Sequence, residues 1–205
     1  INSIDALNLL RDLNVDILYV IGWSEILKNY ILKIPKIGTI GFHASLLPKY
    51  RGSAPVNWAL INNEPFTCST MFWMDEKVDT GKIISQEKIE ISSNDNCKDV
   101  YHKVAKVNAK MIIENFSSIS SKDGRFIGID QKYRAPLMPK RLPEDGLIKW
   151  NEHSAVTLYN FIRALTKPYP GAFFYWNGKK IYIWSSTIIE STSNSENVFI
   201  KSFEN

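Results

Sequence analysis

Through the first 130 residues, short apolar runs alternate with stretches whose apolar residues recur every three or four positions. SIDALNLLRDL (3–13) has helical spacing, with Ser3 placed to cap it. DILYVIG (16–22) is a continuous apolar run of strand length, the kind buried on both faces of a parallel sheet. SEILKNYIL (24–32) reads as a helix punctuated by Pro35 and Gly38, and TIGFH (39–43) as the next strand. APVNWALIN (54–62) predicts a helix with Pro55 in its first turn, and TCSTMFWM (67–74) and IISQEKIEI (83–91) predict strands. The longest helical pattern runs from about Asn94 to Ile119, with Val100, Tyr101, Val104, Val107, Met111, Ile112 and Phe116 on its apolar stripe. This alternation predicts an α/β fold around a mostly parallel sheet.

The texture then changes. YRAPLMPKRLPEDG (133–146) carries three prolines and mixed charge and reads as an ordered linker. A short strand (LIKW), a helix from about His153 to Leu165, the turn KPYPG and strands at 172–176, 180–190 and 197–203 follow. They suggest a small β-rich second domain. The expected division is 1–132 for the first domain, 133–146 for the linker and 147–205 for the second domain.

Composition narrows the function classes. A formal charge of +4 is mild and the basic residues are scattered, which gives little support for nucleic-acid binding. No apolar run approaches the roughly 18 residues of a membrane span, and no signal-peptide pattern opens the chain. Cys68 and Cys97 lack metal-ligand spacing and read as reduced thiols of a cytoplasmic protein that needs no metal.

The chemistry concentrates in GTIGFHASLLPKYRG (38–52), where His43 ends a short strand and a loop of small residues follows. Open α/β sheets bind ligands beyond the carboxyl ends of their strands, and Asp79, in the D-T-G loop after the strand closing at Met74, falls at another such end. A carboxylate beside an imidazole orients the ring and favours its charged form, and the pair can serve general acid–base chemistry on an acyl transfer. Taken singly, His43 serves equally well as a packed strand-end residue, and D-T-G is a common turn. His102 reads as a surface or partly buried residue of the long helix and His153 as a solvated first-turn residue, and Trp23, Trp58 and Trp73 suit core packing. Arg51 either binds an anionic substrate or ties its loop to carbonyls; Arg163 contacts the first domain or makes a structural salt bridge.

The spacing separates these readings. H-x-S-L-L-P-x-Y-R-G followed by the aspartate of V-D-T-G resembles the formyltransferase family that uses 10-formyltetrahydrofolate. Its members include methionyl-tRNA, glycinamide ribonucleotide and amino-sugar-nucleotide formyltransferases. R-G-S-A-P-V-N-W, P-E-D-G-L-I-K-W and R-A-L-T-K-P-Y-P-G-A-F extend the resemblance over nearly the whole chain. It implies a Rossmann-like core, with the family's first βα units lying ahead of Ile1, and an OB-like C-terminal domain that is also incomplete.

The resemblance also implies the site. His43 and Asp79 fall on the family's active histidine and aspartate. The folate would lie against Glu25, Ile26 and Leu27 and the loop Asp75, Glu76, Lys77, Val78 and Asp79. Ser45, Leu46, Leu47, Pro48, Arg51 and Gly52 form the loop expected to meet the substrate. The family usually carries an asparagine two residues before the histidine, whose amide holds the oxyanion; here that residue is Gly41. Ser53 stands where amino-arabinose members carry an arginine. The expected activity is formyl transfer from 10-formyltetrahydrofolate to a primary amine on an amino-sugar nucleotide, with the β-rich domain offering a homodimer surface. G-W-S-x-I-L and P-Y-P-G-A-F favour sugar-modifying members over a methionyl-tRNA formyltransferase, and the modest charge agrees. A 10-formyltetrahydrofolate hydrolase and a binding protein that has lost catalysis are the remaining alternatives.

Overall fold

A computed structural model describes residues 2–121, 123–133 and 135–189. Helix α1 (Ile4–Asp12) begins where the Ser3 hydroxyl accepts the Ala6 N–H at 3.2 Å. Strand β1 (Ile17–Val20), the short helix α2 (Asn29–Leu32) and strand β2 (Gly38–His43) follow. Next come helix α3 (Pro55–Ile61) and strands β3 (Phe66–Trp73) and β4 (Ile83–Glu90). Helix α4 (Cys97–Ile119) starts later than its apolar pattern because Asn96 caps it. Its side chain accepts the Lys98 and Asp99 N–H groups while Asp99 accepts the Asn96 N–H, a reciprocal capping box.

The four strands form one sheet in chain order. β1–β2 is parallel, whereas β2–β3 and β3–β4 are antiparallel, so the mostly parallel sheet expected from the sequence is a mixed one among the described residues. For β3–β4 the cause is connection length. The nine residues 74–82 return β3 directly into β4, too few for the crossover that a parallel pair requires.

Period-two alternation gives the sheet two different faces. Ile40, Met71 and Trp73 pack with Met111 and Ile119 of α4. On the opposite face Leu18, Val20 and Met74 pack with Leu10, Leu27, Ile31 and Leu32, and the Thr39 hydroxyl donates to the Leu32 carbonyl. Gly41 and His43 share that second face with Thr39, two residues apart along β2.

The predicted helix at 24–32 is only its last turn. Asn2 takes the backbone of 26–28 out of helical pairing, its amide donating to the Ile26 carbonyl and its Oδ1 accepting the Lys28 N–H. LIKW likewise supplies one bridge, Leu147 to Phe173, before a single 3-10 turn at Trp150–Glu152. Helix α5 (Ala155–Leu165), capped by Ser154, buries Leu158, Phe161, Ile162 and Leu165 in the same cluster as Val56, Leu60, Val100 and Val104. The hydrophobic core therefore runs unbroken from α3 and α4 into α5. Hairpin β5 (Ala172–Trp176) and β6 (Lys179–Ile183) matches the start of the β-rich segment. The strand expected at 197–203, and residue 190 of the one before it, lie outside the described residues. No described helix is long and apolar enough to cross a membrane.

Candidate active site

His43 ends β2 and is 8% exposed on the wall of a cavity of about 860 Å³. Its Nε2 lies 2.8 Å from the Tyr50 carbonyl, which can only accept, so Nε2 carries a proton and donates. Nδ1 lies 3.5 Å from Asp79 Oδ2. When the ring is doubly protonated, both N–H groups thus face an acceptor.

Asp79 reaches this position by a route the sequence did not disclose. In the antiparallel register β3 ends at Trp73 beside Ile40, three residues short of His43, so the carboxyl ends of β2 and β3 point in opposite directions. The pair meets because loop 74–82 folds back across the sheet. Gly81 makes that return fit, since a Cβ there would lie 1.6 Å from the Trp73 carbonyl oxygen. Asp79 is held in left-handed backbone (φ 53°); its Oδ2 accepts the Gly52 N–H at 2.8 Å, and its carbonyl accepts the Gln131 amide at 2.9 Å.

Tyr50 and Gly52 hold the histidine and the aspartate through backbone groups two residues apart. Both have positive φ, and a Cβ at Gly52 (φ 100°) would meet the Met138 carbonyl at 2.8 Å, so only glycine fits there. Tyr50 is anchored by its side chain. Its hydroxyl donates to Glu64 at 2.7 Å and accepts the Asn62 amide at 2.9 Å, while Lys49 pairs with Glu64 at 2.7 Å. Burial pushes the Glu64 carboxyl up, but the hydrogen bonds from Lys49 and Tyr50 outweigh it and hold the group below the ordinary glutamate range.

Glu25, Ile26, Leu27 and the whole of Asp75, Glu76, Lys77, Val78 and Asp79 line the cavity. Leu27 is buried in the core, whereas Ile26 is 69% exposed, so only one of the two faces inward. Trp23 is half exposed on the cavity rim, not packed in the core as its pattern suggested. Asp75 accepts from Lys77 N–H and the Thr80 hydroxyl, and Glu76 from Asn29, which ties this loop to α2.

The proposed substrate loop is placed differently. Of its residues only Gly52 lines the cavity. Ser45 and Leu47 are buried, the Ser45 hydroxyl donating to the Lys49 carbonyl and the Leu47 N–H to Thr70. Pro48 is buried and Leu46 exposed, both away from the cavity. Arg51 is buried beside the cavity; its carbonyl accepts the Met138 N–H at 2.7 Å. These side chains shape the turn, and its backbone presents His43.

At Gly41 a Cβ would lie 2.9 Å from both Met74 Cγ and Phe72 Cζ. The space above the glycine is occupied, and the wall beside His43 is apolar at this point. His102 is exposed, as expected, but His153 is half-buried with its ring 5.1 Å from Phe161. Arg163 contacts the first domain and forms no salt bridge among the described residues: it donates to the carbonyls of Ser92, Ser93 and Asp95. Sequence reasoning missed Tyr50, Gln131 and Arg141, the last of which also lines the cavity. Backbone acceptors carry no residue signature, so the role of Tyr50 had no signal in the pattern.

Both cysteines are buried and unpaired, and burial pushes Cys97 up to about 11. No group of three or more candidate metal ligands occurs among the described residues.

Residues 3–116 match the model of the formyl transferase domain, and 141–202 match that of the formyl transferase C-terminal domain. The chain is 43% identical over 188 residues to the bifunctional polymyxin resistance protein ArnA of Wigglesworthia glossinidia brevipalpis, covering 92% of this chain and 28% of that protein. It is 36% identical over 197 residues to the methionyl-tRNA formyltransferase of Caldanaerobacter subterraneus subsp. tengcongensis, covering 94% and 62%. It thus spans less than two thirds of either relative. Among solved structures, the formyltransferase PseJ of Anoxybacillus kamchatkensis, in complex with UDP-4,6-dideoxy-4-formamido-L-AltNAc and tetrahydrofolate, matches with TM-score 0.54 and 28% identity over 62% of this chain and 65% of its own. Two domain matches in the right order, around a histidine and an aspartate brought together by loops, place the chain in the formyl transferase family.

Proposed function

We propose that this protein transfers a formyl group from 10-formyltetrahydrofolate to the primary amine of an amino-sugar nucleotide. The observation that carries the reading is His43, set in a cavity wall with its ring fixed between the Tyr50 carbonyl and Asp79. The cavity is of the size that takes a cofactor-sized ligand. Glu25, Asp75 and Glu76 at one end suit the N–H donors of a pterin, and the folate supplies the formyl group.

In this reading the amine attacks the formyl carbon, charge develops on the formyl oxygen, and collapse of the tetrahedral intermediate breaks the bond from that carbon to N10 of the folate, which leaves as tetrahydrofolate. Nε2 of His43 is held by the Tyr50 carbonyl, so its Nδ1–H, 3.5 Å from Asp79, is the donor for that oxygen, with Asp79 sustaining the imidazolium; the proton given up by the attacking amine is delivered to N10 of the leaving folate. With Phe72 and Met74 above Gly41, residue 41 supplies no side-chain amide to the oxyanion, and His43 is the donor assigned to it. The PseJ complex, with a nucleotide sugar and tetrahydrofolate bound, supports the sugar acceptor. The 36% identity to a methionyl-tRNA formyltransferase supports tRNA as the second reading.

The test is formyl transfer by the full-length protein to a panel of nucleotide-linked amino sugars and to methionyl-tRNA, with His43→Ala in parallel. Turnover of a sugar nucleotide that His43→Ala abolishes is the expected result. Turnover of methionyl-tRNA alone would replace the sugar acceptor, and activity surviving in His43→Ala would overturn the catalytic assignment.

A further inference from the structure

The cavity that His43 lines is electrically lopsided. The segments after β1 and β3 bring Glu25, Asp75, Glu76 and Asp79 to one end, with Lys77 the one cation among them. Another stretch of wall, built by 140–143 and 169–171, carries Lys140 and Arg141 and no carboxylate among its lining residues. Gly52 and Ser53 lie between the two. Gly52 N–H bonds Asp79 on one side, and Ser53 N–H reaches the Met138 carbonyl, three residues before Arg141, on the other.

Arg141 is held still but left incomplete. Its guanidinium lies over the rings of Trp58 at 5.0 Å and Phe161 at 5.7 Å, which fixes its plane. It makes one hydrogen bond among the described residues, from Nη2 to the Asp145 carbonyl at 2.8 Å, and its Nε is buried with no partner. It forms no ion pair among them either; the Asp145 carboxylate accepts the Leu142 N–H instead. Burial pulls the guanidinium below its ordinary pKa, with the Asp145 charge working in the other direction.

Arg163 shows what a structural arginine in this fold looks like. It is buried in α5 and spreads its donors over Asn160 and the carbonyls of Ser92, Ser93 and Asp95. It ties α5 to the loop before α4. Arg141 has no such set of acceptors, and a fixed guanidinium with unused donors on a cavity wall is the arrangement that a phosphate completes.

We propose that the basic stretch of the cavity wall binds the phosphate of the amine acceptor, with Arg141 as the anchoring side chain and Lys140 as a second cation. The inference rests on the nucleotide-linked acceptor reading given above. A sugar ring separates its anomeric phosphate from an amine across the ring, so seating the phosphate at Arg141 turns the amine back toward His43.

The test uses the full-length protein, inorganic pyrophosphate as the probe, and Trp58, which lies under the guanidinium, as a fluorescent reporter. Pyrophosphate titrates the wild-type signal to saturation; Arg141→Gln weakens binding by about tenfold or more, the loss of one charge-assisted contact, and Arg141→Lys falls between. In formyl transfer, Arg141→Gln raises KM for the nucleotide-linked acceptor far more than it lowers kcat, and the loss in kcat/KM is smaller for the same amino sugar without its nucleotide. Equal pyrophosphate affinity in wild type and Arg141→Gln would overturn the proposal. So would an equal loss with both acceptors, which would mark Arg141 as structural. If sugar nucleotides are formylated and Arg141→Gln changes nothing, the phosphate site falls and the acceptor reading stands. If none is formylated but pyrophosphate binding still depends on Arg141, the acceptor reading falls and the phosphate site stands.

Discussion

Replacing Gly41 by asparagine tests whether this site has lost a donor or has been rebuilt without one. A Cβ at position 41 lies 2.9 Å from Met74 Cγ, 2.9 Å from Phe72 Cζ and 3.0 Å from Phe72 Cε1, before the amide is added. Phe72 is 3% exposed and directly opposite Gly41 in the β2–β3 register, and Met74 packs on the cluster of Leu27 and Ile31, so neither gives way freely. Forcing extra atoms into such packing costs about 1–3 kcal/mol. In a chain of this size that lowers Tm by roughly 2–4 °C per kcal/mol. Met74→Ala removes one of the two obstructions, so the double variant Gly41→Asn/Met74→Ala should be less destabilised than the sum of its parts, with a coupling of about 1 kcal/mol. Urea denaturation of wild type, both single variants and the double variant measures it. Transfer activity should follow, higher in the double variant than in Gly41→Asn, since one well-placed oxyanion donor is worth about 2.7–4 kcal/mol of barrier. Gly41→Asn matching wild-type stability, or strictly additive effects, would refute the steric argument.

Three further outcomes follow from contacts around the site. Tyr50→Phe removes the hydroxyl bonded to Glu64 and Asn62, so stability should fall by about 0.5–1.5 kcal/mol and kcat should drop as the carbonyl holding His43 loosens; unchanged kcat would sink the anchoring role. Arg163→Met leaves the carbonyls of Ser92, Ser93 and Asp95 without their donor and should cost about 2–4 kcal/mol in denaturant unfolding, whereas a change within about 0.5 kcal/mol would show that water replaces it. Cys97, pushed up to about 11 by burial, keeps its proton in the folded chain while the unfolded thiol loses it near pH 9. Stability contributed by this group is therefore intact below pH 9 and declines as pH rises toward 11, and Cys97→Ala should flatten that part of the stability–pH curve.

Periodicity located most of the elements because burial enforces it: α4 carries its apolar stripe onto Met71 and Ile40, and β3 is buried on both faces. It failed at 24–28, where Asn2, distant in sequence, claims the backbone groups a helix would have paired. Strand direction is less legible than strand position, because a buried strand looks alike in either direction; the short connection at 74–82 is the clue to the antiparallel β3–β4 pair. His43 and Asp79 were legible through their motif, yet the expected route to their meeting was wrong, since no pattern reports that a loop folds back. The resemblance makes the 45–48 turn and Arg51 a substrate loop, but Ser45, Leu47, Pro48 and Arg51 are buried and Leu46 is exposed away from the cavity. Arg141 sat in a segment read only as a linker, and nothing in its neighbours indicates that Trp58 and Phe161 would hold it against the cavity.

The Tyr50 carbonyl and the Gly52 amide are the direct grips on the histidine and the aspartate. Both belong to the main chain, so among the side chains of the turn the pair depends on those that hold this backbone in place, Tyr50 through Glu64 and Asn62 above all. Gly52 cannot change, because Met138 leaves no room for a Cβ. Ser53, next in the chain and facing the cavity, carries no such restriction. Substitution there changes the cavity wall while leaving both backbone grips in place, so the surface offered to a ligand can vary independently of the pair beside it.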